Sequence, residues 1–338
     1  MVEQESLYYA ILSGEHPVMP LAELEALLET RFNGRIVYSF EGIALFSSNS
    51  DPGSLPNVSG WIKEVGRVLK VGSVKETAIE SAIKHVGDRL MQYEKLEIKK
   101  YKGYSCHIDT SMLKNLAKSY GAGSGKLLLR LFLTEGVFVL GEVISVQDTR
   151  SFNLRKPGKR PFFKPGPLSP QLSRVFVNLS RLPVNGVYLD PFCGTGGFVL
   201  EACLVGAKLC LCGDITDDMV RGARINLSHY GVYDSSIVFQ HDSTKIPLED
   251  NSVDAIATDP PYGRSTTTAK RSYKMLVEGF LNEASRVVKP GGYIVYAGPE
   301  REEPWKLAVN LGLEVRSRFH MHVHSTLVRE VVVARKVK

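Results

Sequence analysis

No stretch of eighteen consecutive apolar residues occurs in this chain, so no membrane-spanning helix is expected. Its first residues, Met1-Val2-Glu3-Gln4-Glu5, carry neither a basic region nor an apolar segment, which argues against secretion and for a cytoplasmic location. Cysteine is scarce and odd in number: Cys106, Cys193, Cys203, Cys210 and Cys212 are the five in 338 residues. Cys210-x-Cys212 puts two thiols on one face of a strand with no second pair to complete a zinc site, so buried free thiols are expected and no metal. Neither sign of charge dominates, with 42 Lys and Arg against 36 Asp and Glu and a net charge of +6. The length is ample for two or three domains, each with a core.

What is present is concentrated in the second half. The apolar run Val253–Thr258 closes on Asp259-Pro260-Pro261-Tyr262. This places a carboxylate, a proline-fixed carbonyl and an aromatic face at the end of a buried strand. Asp-Pro-Pro can simply end a strand, but the set also suits methylation of an exocyclic amine on a nucleobase. Such an amine is a poor nucleophile because its lone pair is delocalised into the ring. Two acceptors, the Asp259 carboxylate and the Pro260 carbonyl, can hold its N–H groups and turn the lone pair towards an electrophile. Pro260 and Pro261 fix φ and pre-aim that carbonyl, and Tyr262 can stack on an extruded base.

Upstream, the strand Gly186–Asp190 leads through Pro191-Phe192-Cys193-Gly194-Thr195-Gly196 into a helix at about Phe198. Glycines there let backbone amides approach a ligand at the carboxyl end of a parallel strand. A dinucleotide fingerprint needs a third glycine three positions after Gly196, where Val199 stands. Further strands end in acids: Leu209–Gly213 at Asp214, suited to a ribose diol, and Ser236–Gln240 before Asp242-Ser243, suited to an adenine amine. Each acid alone reads as a helix cap or loop residue. Four in register after successive strands form a pattern.

Strands at 186–190, 209–213, 236–240, 253–258 and 292–297 alternate with helices at 198–204, 217–228 and 274–288, the signature of a parallel sheet covered on both faces. Leu313–Val323 and Leu327–Val337 then read as an antiparallel hairpin. The spacing Asp190-x-x-x-Gly194-x-Gly196 and this order of elements resemble the class I, S-adenosylmethionine-dependent methyltransferases, an α/β Rossmann-like fold, over residues 169–338.

The first half reads as strand Leu7–Leu12, helix Pro20–Thr30, a strand pair at 36–40 and 43–46, a helix at about 60–69 and a strand near 69–74, a small α+β ferredoxin-like unit over 1–75. From residue 76 a second module runs to 148: helix Thr77–Met91, a basic strand region Tyr93–Tyr104 with Lys95, Lys99, Lys100 and Lys102, helix Ser111–Tyr120 with Lys114 and Lys118, and strands at 126–133 and 136–142. Lysines there also fit an ordinary solvated face. The connector 149–168 is more pointed. It holds Arg150, Arg155, Lys156, Lys159, Arg160 and Lys164 with no acid, three phenylalanines and several prolines. A stiff, extended linker able to meet phosphates is expected.

This order of modules, with Asp190–Gly197, Asp259–Gly263, the run 160–170 and His324-Ser325-x-Leu327-x-Arg329, resembles the archaeal tRNA guanine-N2 methyltransferases acting on guanosine 10. The resemblance implies that residues 76–148 are a THUMP-like RNA-binding domain and that the substrate is tRNA. It implies that Asp190, Phe192, Gly194 and Gly196 surround the methionine part of S-adenosyl-L-methionine. Asp214 and Ile215 would take ribose and adenine, Asp242 with Ser243 the adenine amine, and Leu168 would lie over the pocket. Asp259, Pro260, Pro261 and Tyr262 would hold the guanine. Two successive transfers are implied by the family alone. A monomer is expected, with a small activator subunit left open.

His320, His322 and His324 share a face of the first hairpin strand, but no carboxylate pattern supports a metal there, and surface or RNA-contact roles are expected. Two other functions stay in view: the same chemistry at another tRNA position, a ribosomal guanine or a DNA adenine, and a catalytically silent tRNA-binding protein.

Overall fold

The computed structural model describes residues 6–101, 108–262 and 272–337. Lys102, Cys106 and Gly263 lie outside the described residues. In chain order the elements of the first half are β1 (Leu7–Leu12), α1 (Met19–Leu27), β2 (Gly34–Phe40), β3 (Ile43–Ser48), α2 (Leu55–Val58), β4 (Ile62–Ser73), α3 (Glu76–Val86), β5 (Tyr93–Lys100), α4 (Thr110–Ser119), β6 (Leu127–Thr134) and β7 (Val137–Val146). The second half continues with α5 (Thr149–Leu154), α6 (Pro170–Leu179), β8 (Val187–Asp190), α7 (Gly197–Leu204), β9 (Leu209–Asp214), α8 (Asp217–His229), β10 (Ser236–Gln240), β11 (Val253–Thr258), α9 (Tyr273–Val287), β12 (Val288–Pro299), α10 (Pro304–Asn310), β13 (Glu314–His324) and β14 (Leu327–Arg335).

These form two compact units. One is built from the stretch up to Glu15 with Phe32–Asn57 and Ile62–Gln147, the other from His16–Arg31, Val58–Trp61 and the chain from Asp148 onward. The first carries one sheet in the order β2-β3-β1-β4-β7-β6-β5. That sheet runs straight across residue 75, because β4 pairs with β1 on one side and with β7 on the other. The helix expected at about 60–69 is instead the front of β4, a twelve-residue strand. Ile62, Val65 and Val68 are spaced like a helix face, and two register shifts, at Val65/Gly66 and Val68/Lys70, break the two-residue alternation that would have marked a strand. Gly66 lies against the Tyr9 ring, where a Cβ would sit 2.3 Å from Cε1.

Helix α1 belongs to the second unit, packed on α6. The reason is Glu23, whose fully buried carboxylate accepts from the amides of Gly60 and Trp61 at 2.6 and 2.9 Å and from Asn178 Nδ2 at 2.7 Å. A buried charge needs such partners, and those partners lie at 60–61 and on α6. Helix α6 itself starts at Ser169, whose Oγ accepts from the Leu172 amide, followed by Pro170 at the first turn.

The sheet of this unit runs β10-β9-β8-β11-β12-β14-β13. Its first five strands are parallel, and β14 and β13 follow antiparallel, the expected terminal hairpin. The chain winds outward from β8 in both directions, so the crevice between the carboxyl ends of β8 and β11 is the switch point where α/β sheets bind ligands. Alternate residues serve two cores: Cys210 and Cys212 face the cluster that holds α6 and α7, and Leu211 faces the one that holds α9.

The first part of the connector, residues 149–159, is not the extended linker expected from the prolines, whereas 160–168 carry no helix or strand. The connector opens with helix α5, capped by Asp148, and a 3-10 turn at Pro157–Lys159. Phe152 is buried beneath the guanidinium groups of Arg155 and Arg174, and aromatic burial with a cation above it outweighs the stiffness of the prolines. The thiols also differ from expectation. Cys193 and Cys212 form a disulfide with Cα atoms 5.4 Å apart, whereas Cys203 and Cys210 are free. The loop after β8 folds back so that the Cys193 amide donates to the Gly213 carbonyl at 2.9 Å, which brings its side chain onto β9.

Candidate active site

At the carboxyl ends of β8, β9, β10 and β11 lies a cavity of about 420 Å³, within the range that small-molecule cofactors occupy. The glycine loop forms one wall with Phe192, Cys193, Gly194 and Thr195. Gly196, in the left-handed region at φ +83, starts α7, so the loop can turn sharply and leave amides at a helix N-terminus. Asp214 and Ile215 follow β9, Asp242 and Ser243 follow β10, and Asp259 to Tyr262 follow β11. All of these line the cavity, as do Leu168 and Lys164 of the connector.

Asp190 and Gly196 do not line it. Asp190, expected beside a ligand, lies under the loop and is fully buried. Its Oδ1 accepts from Thr258 Oγ1 at 2.6 Å and from the Phe192 amide at 3.1 Å, while its Oδ2 has no partner. Burial lifts this carboxyl to about 7 against the pull of the two hydrogen bonds, helped by the nearby Asp214 and Asp259. Asp190 therefore ties the end of β8 to the end of β11. Asp214 does a similar task one strand over: its Oδ2 takes the Gly194 amide and its Oδ1 the Thr216 amide, both at 2.9 Å. Asp242 Oδ1 accepts from the amide and hydroxyl of Thr244. Carboxylates at two strand ends, with apolar Ile215, Met219 and Phe192 on the same cavity, suit a nucleoside with hydroxyl and amine donors and a flat apolar ring.

The far end of the cavity holds a tight polar group. The Tyr262 hydroxyl donates to Asp259 Oδ1. Arg329, on β14, donates from Nε to the Tyr262 oxygen at 2.9 Å and lies with Nη2 3.4 Å from Asp259 Oδ2. Burial raises the Asp259 carboxyl above its ordinary value, and Arg329 and the Tyr262 hydroxyl pull it back. The Tyr262 ring packs edge-on to Tyr273 at 6.1 Å. Arg329 stands opposite Pro299 and Met321 in the sheet. In the sequence it belongs to a tail motif without a role, because seventy residues separate it from Asp259. His324 also lines the cavity, with Nδ1 on the Thr326 hydroxyl at 3.1 Å. Among the described residues, no group of three or more His, Cys, Asp or Glu is arranged to hold a metal.

The basic residues divide. Lys95, Lys100, Lys114, Lys118, Arg150, Lys156 and Lys159 are exposed, and Lys99 is half-buried. Lys95 pairs with Glu97 at 2.7 Å, and Lys164 with Asp218 at 2.8 Å. Arg155 and Arg160, expected as phosphate contacts, are buried and correct that reading. Arg155 grips the fully buried Glu201 with Nε at 2.8 Å and Nη2 at 3.2 Å, and Arg174 adds a third contact at 2.6 Å. Arg160 donates to the Arg155 carbonyl at 3.0 Å. A desolvated carboxylate on α7 needs cations, so Arg155 serves the core together with Arg174, while Arg160 is buried with Nη1 and Nη2 unpaired among the described residues.

Residues 157–329 match the family described as RMKL-like, methyltransferase domain. The chain is 31% identical to the tRNA (guanine(10)-N2)-dimethyltransferase of Methanocaldococcus jannaschii, over 97% of this chain and 99% of that protein. It is 32% identical to the enzyme of the same name from Methanothermobacter thermautotrophicus, over 97% and 98%. Among solved structures, TrmN from Thermus thermophilus is similar in fold, with a TM-score of 0.57 and 18% identity over 98% of this chain and all of that one. With near-complete coverage at this identity, the chain belongs to the tRNA (guanine(10)-N2)-dimethyltransferase family.

Proposed function

We propose that this protein methylates the exocyclic N2 amine of guanosine 10 in tRNA, twice in succession, with S-adenosyl-L-methionine as donor. The observation that carries the reading is the convergence of the glycine loop, Asp214, Asp242 and Asp259–Tyr262 on one cavity. Membership of a family whose curated members carry that activity in their names supports the position and the number of transfers. Asp214 and Ile215 would hold the ribose and adenine of the cofactor, Asp242 and Ser243 its amino edge, and Leu168 would cover it. Phe192 and Gly194 would border its methionine part. When bound, the cofactor supplies an electrophilic methyl group. The Asp259 carboxylate and Pro260 carbonyl would take the two N2 hydrogens and direct the lone pair, and Asp259 would accept the proton that the alkylated amine gives up. Tyr262 would release Asp259 and face the base.

The lysines of 93–118 and of the connector would meet tRNA phosphates through a THUMP-like module in 76–148, beside a ferredoxin-like stretch in 1–75. The cytoplasm, where tRNA is matured, is the expected setting, with the chain acting as a monomer.

The test is transfer of radiolabelled methyl to unmodified tRNA transcripts by this chain alone, followed by nucleoside analysis. N2,N2-Dimethylguanosine that vanishes when position 10 is adenosine is the expected result. Label that persists there would move the target to another position. No label in any tRNA would favour a ribosomal substrate, a silent binder or a missing activator subunit. Asp259→Ala should lower the rate by roughly 10² to 10³, the scale for losing a group that acts in the transition state, while cofactor affinity survives. A near wild-type rate in this variant would remove Asp259 from the chemistry.

A further inference from the structure

Arg329 has no part in methyl transfer as Asp259, Pro260 and Tyr262 would carry it out. It sits at the amine end of the cavity, largely buried, on the strand next to β12. Its guanidinium lies alongside Asp259 with Nη2 next to Oδ2, while Oδ1 faces the Tyr262 hydroxyl. Two acceptors and a donor, Asp259 Oδ1, Asp259 Oδ2 and Arg329 Nη2, therefore stand together at this end of the cavity, joined through the Tyr262 hydroxyl. Guanine offers the complementary set along its Watson–Crick edge, with N2–H and N1–H as donors and O6 as acceptor. Adenine offers an amine donor followed by the N1 acceptor, which would face Asp259 Oδ2 lone pair to lone pair, and then a C–H with nothing for the arginine to donate to.

We infer that Arg329 is a specificity-determining residue that donates to guanine O6 while Asp259 takes N1–H and one N2–H. In the Asp-Pro-Pro-Tyr turn the Asp259 carboxylate and Pro260 carbonyl are acceptors and by themselves could hold any exocyclic base amine. The arginine turns the set into a reader of guanine. Two features favour this over a plain counter-ion role. Nη2 sits 3.4 Å from the carboxylate, longer than a charge-assisted hydrogen bond prefers, so it can swing to a second acceptor at little loss. Its Nε is held at 2.9 Å by the Tyr262 oxygen, which keeps the fork in the cavity when the base displaces the tyrosine proton from Oδ1. The inference rests on the guanine-N2 reading above.

The experiment compares tRNAs that carry guanosine, 6-thioguanosine or 2-aminopurine at the methylated position. All three keep the N2 amine; the second weakens the O6 acceptor, and the third removes both O6 and N1–H. For the wild type, kcat/KM should fall at least about tenfold from guanosine to 6-thioguanosine and further for 2-aminopurine, the scale of one polar contact in a site built to make it. In Arg329→Met the guanosine rate should fall, and the preference over 6-thioguanosine should collapse to near unity. Arg329→Lys, which keeps charge without the fork, should hold an intermediate preference and is ranked in place of the methionine variant if that one is too slow. Equal losses on all three substrates, with the preference intact, would overturn the inference and leave Arg329 as a counter-ion. Absence of guanosine methylation by the wild type would instead strike the underlying function. Affinity for S-adenosylhomocysteine, measured alongside, should be unchanged, which separates a folded pocket with altered reading from a damaged one.

Discussion

Replacing Asp190 by Asn should make the ligand-free protein increasingly stable relative to the wild type as the pH rises. Asp190 is completely buried, has one oxygen without a partner, and titrates at about 7 instead of the ordinary 3.8. The native state thus keeps its proton up to about pH 7, whereas the unfolded chain releases it near 3.8. Between those values the native state binds the extra proton, so this group's contribution falls as pH rises and is spent above 7. The full interval corresponds to about 4 kcal/mol at ~1.4 kcal/mol per unit, an upper bound because burial sites relax. Asn keeps an oxygen for Thr258 Oγ1 and the Phe192 amide but has nothing to ionise. Of that interval, roughly 1.6 kcal/mol has already developed at about pH 5, so the stability gap between the Asp190→Asn variant and the wild type should widen by about 3 kcal/mol from about pH 5 to about pH 8. For a unit of this size that is a widening of roughly 5–10 °C in Tm, read by calorimetry on the full chain at both pH values. Any pH-independent effect of the substitution cancels in this comparison. A gap that stays constant, or narrows, would refute the reasoning and mean that Asp190 ionises normally.

Two other perturbations test the connector and the core. Glu201→Ala strands Arg155 and Arg174 without their shared anion and should cost about 3–5 kcal/mol, read as a lower denaturation midpoint; an unchanged midpoint would mean that the two arginines find water. Gly222 lies under Phe162, and a Cβ there would sit 2.1 Å from the ring. Gly222→Ala should therefore lift the segment that carries Lys164 and Leu168 over the cavity, weakening cofactor affinity roughly tenfold at about 1–3 kcal/mol of overpacking. Isothermal titration with S-adenosylhomocysteine checks this, and an unaltered Kd would show that the segment does not cover the ligand.

Local pattern was enough to specify the sheet of the second unit. Strands that end in Asp190, Asp214, the Asp242 turn and Asp259, with a glycine turn after the first, announce a parallel sheet with its ligand at the carboxyl edge, because chain direction alone sets which strand ends share an edge. The tail hairpin was equally legible from its two long runs around His324-Ser325-Thr326. The front of β4 was not, because its register shifts erase the alternation on which strand reading depends.

Which charges are available to a ligand was beyond the sequence. Arg155 and Arg160 look the same in a string as Lys156 and Lys159, yet the first two are buried, Arg155 on Glu201 forty-six positions away, and the others are exposed. The same holds for α1, drawn to α6 by Glu23, and for the meeting of Cys193 with Cys212 across a folded loop. The sequence alone determined the order of elements in the second sheet and the residue types at its strand ends, since both depend on neighbours in the chain. Tertiary structure decided which side chains meet across it: Asp190 under the loop instead of on the cavity wall, and Arg329 beside Asp259. Burial and pairing between residues far apart in sequence depend on how the layers stack, and no local pattern carries that information.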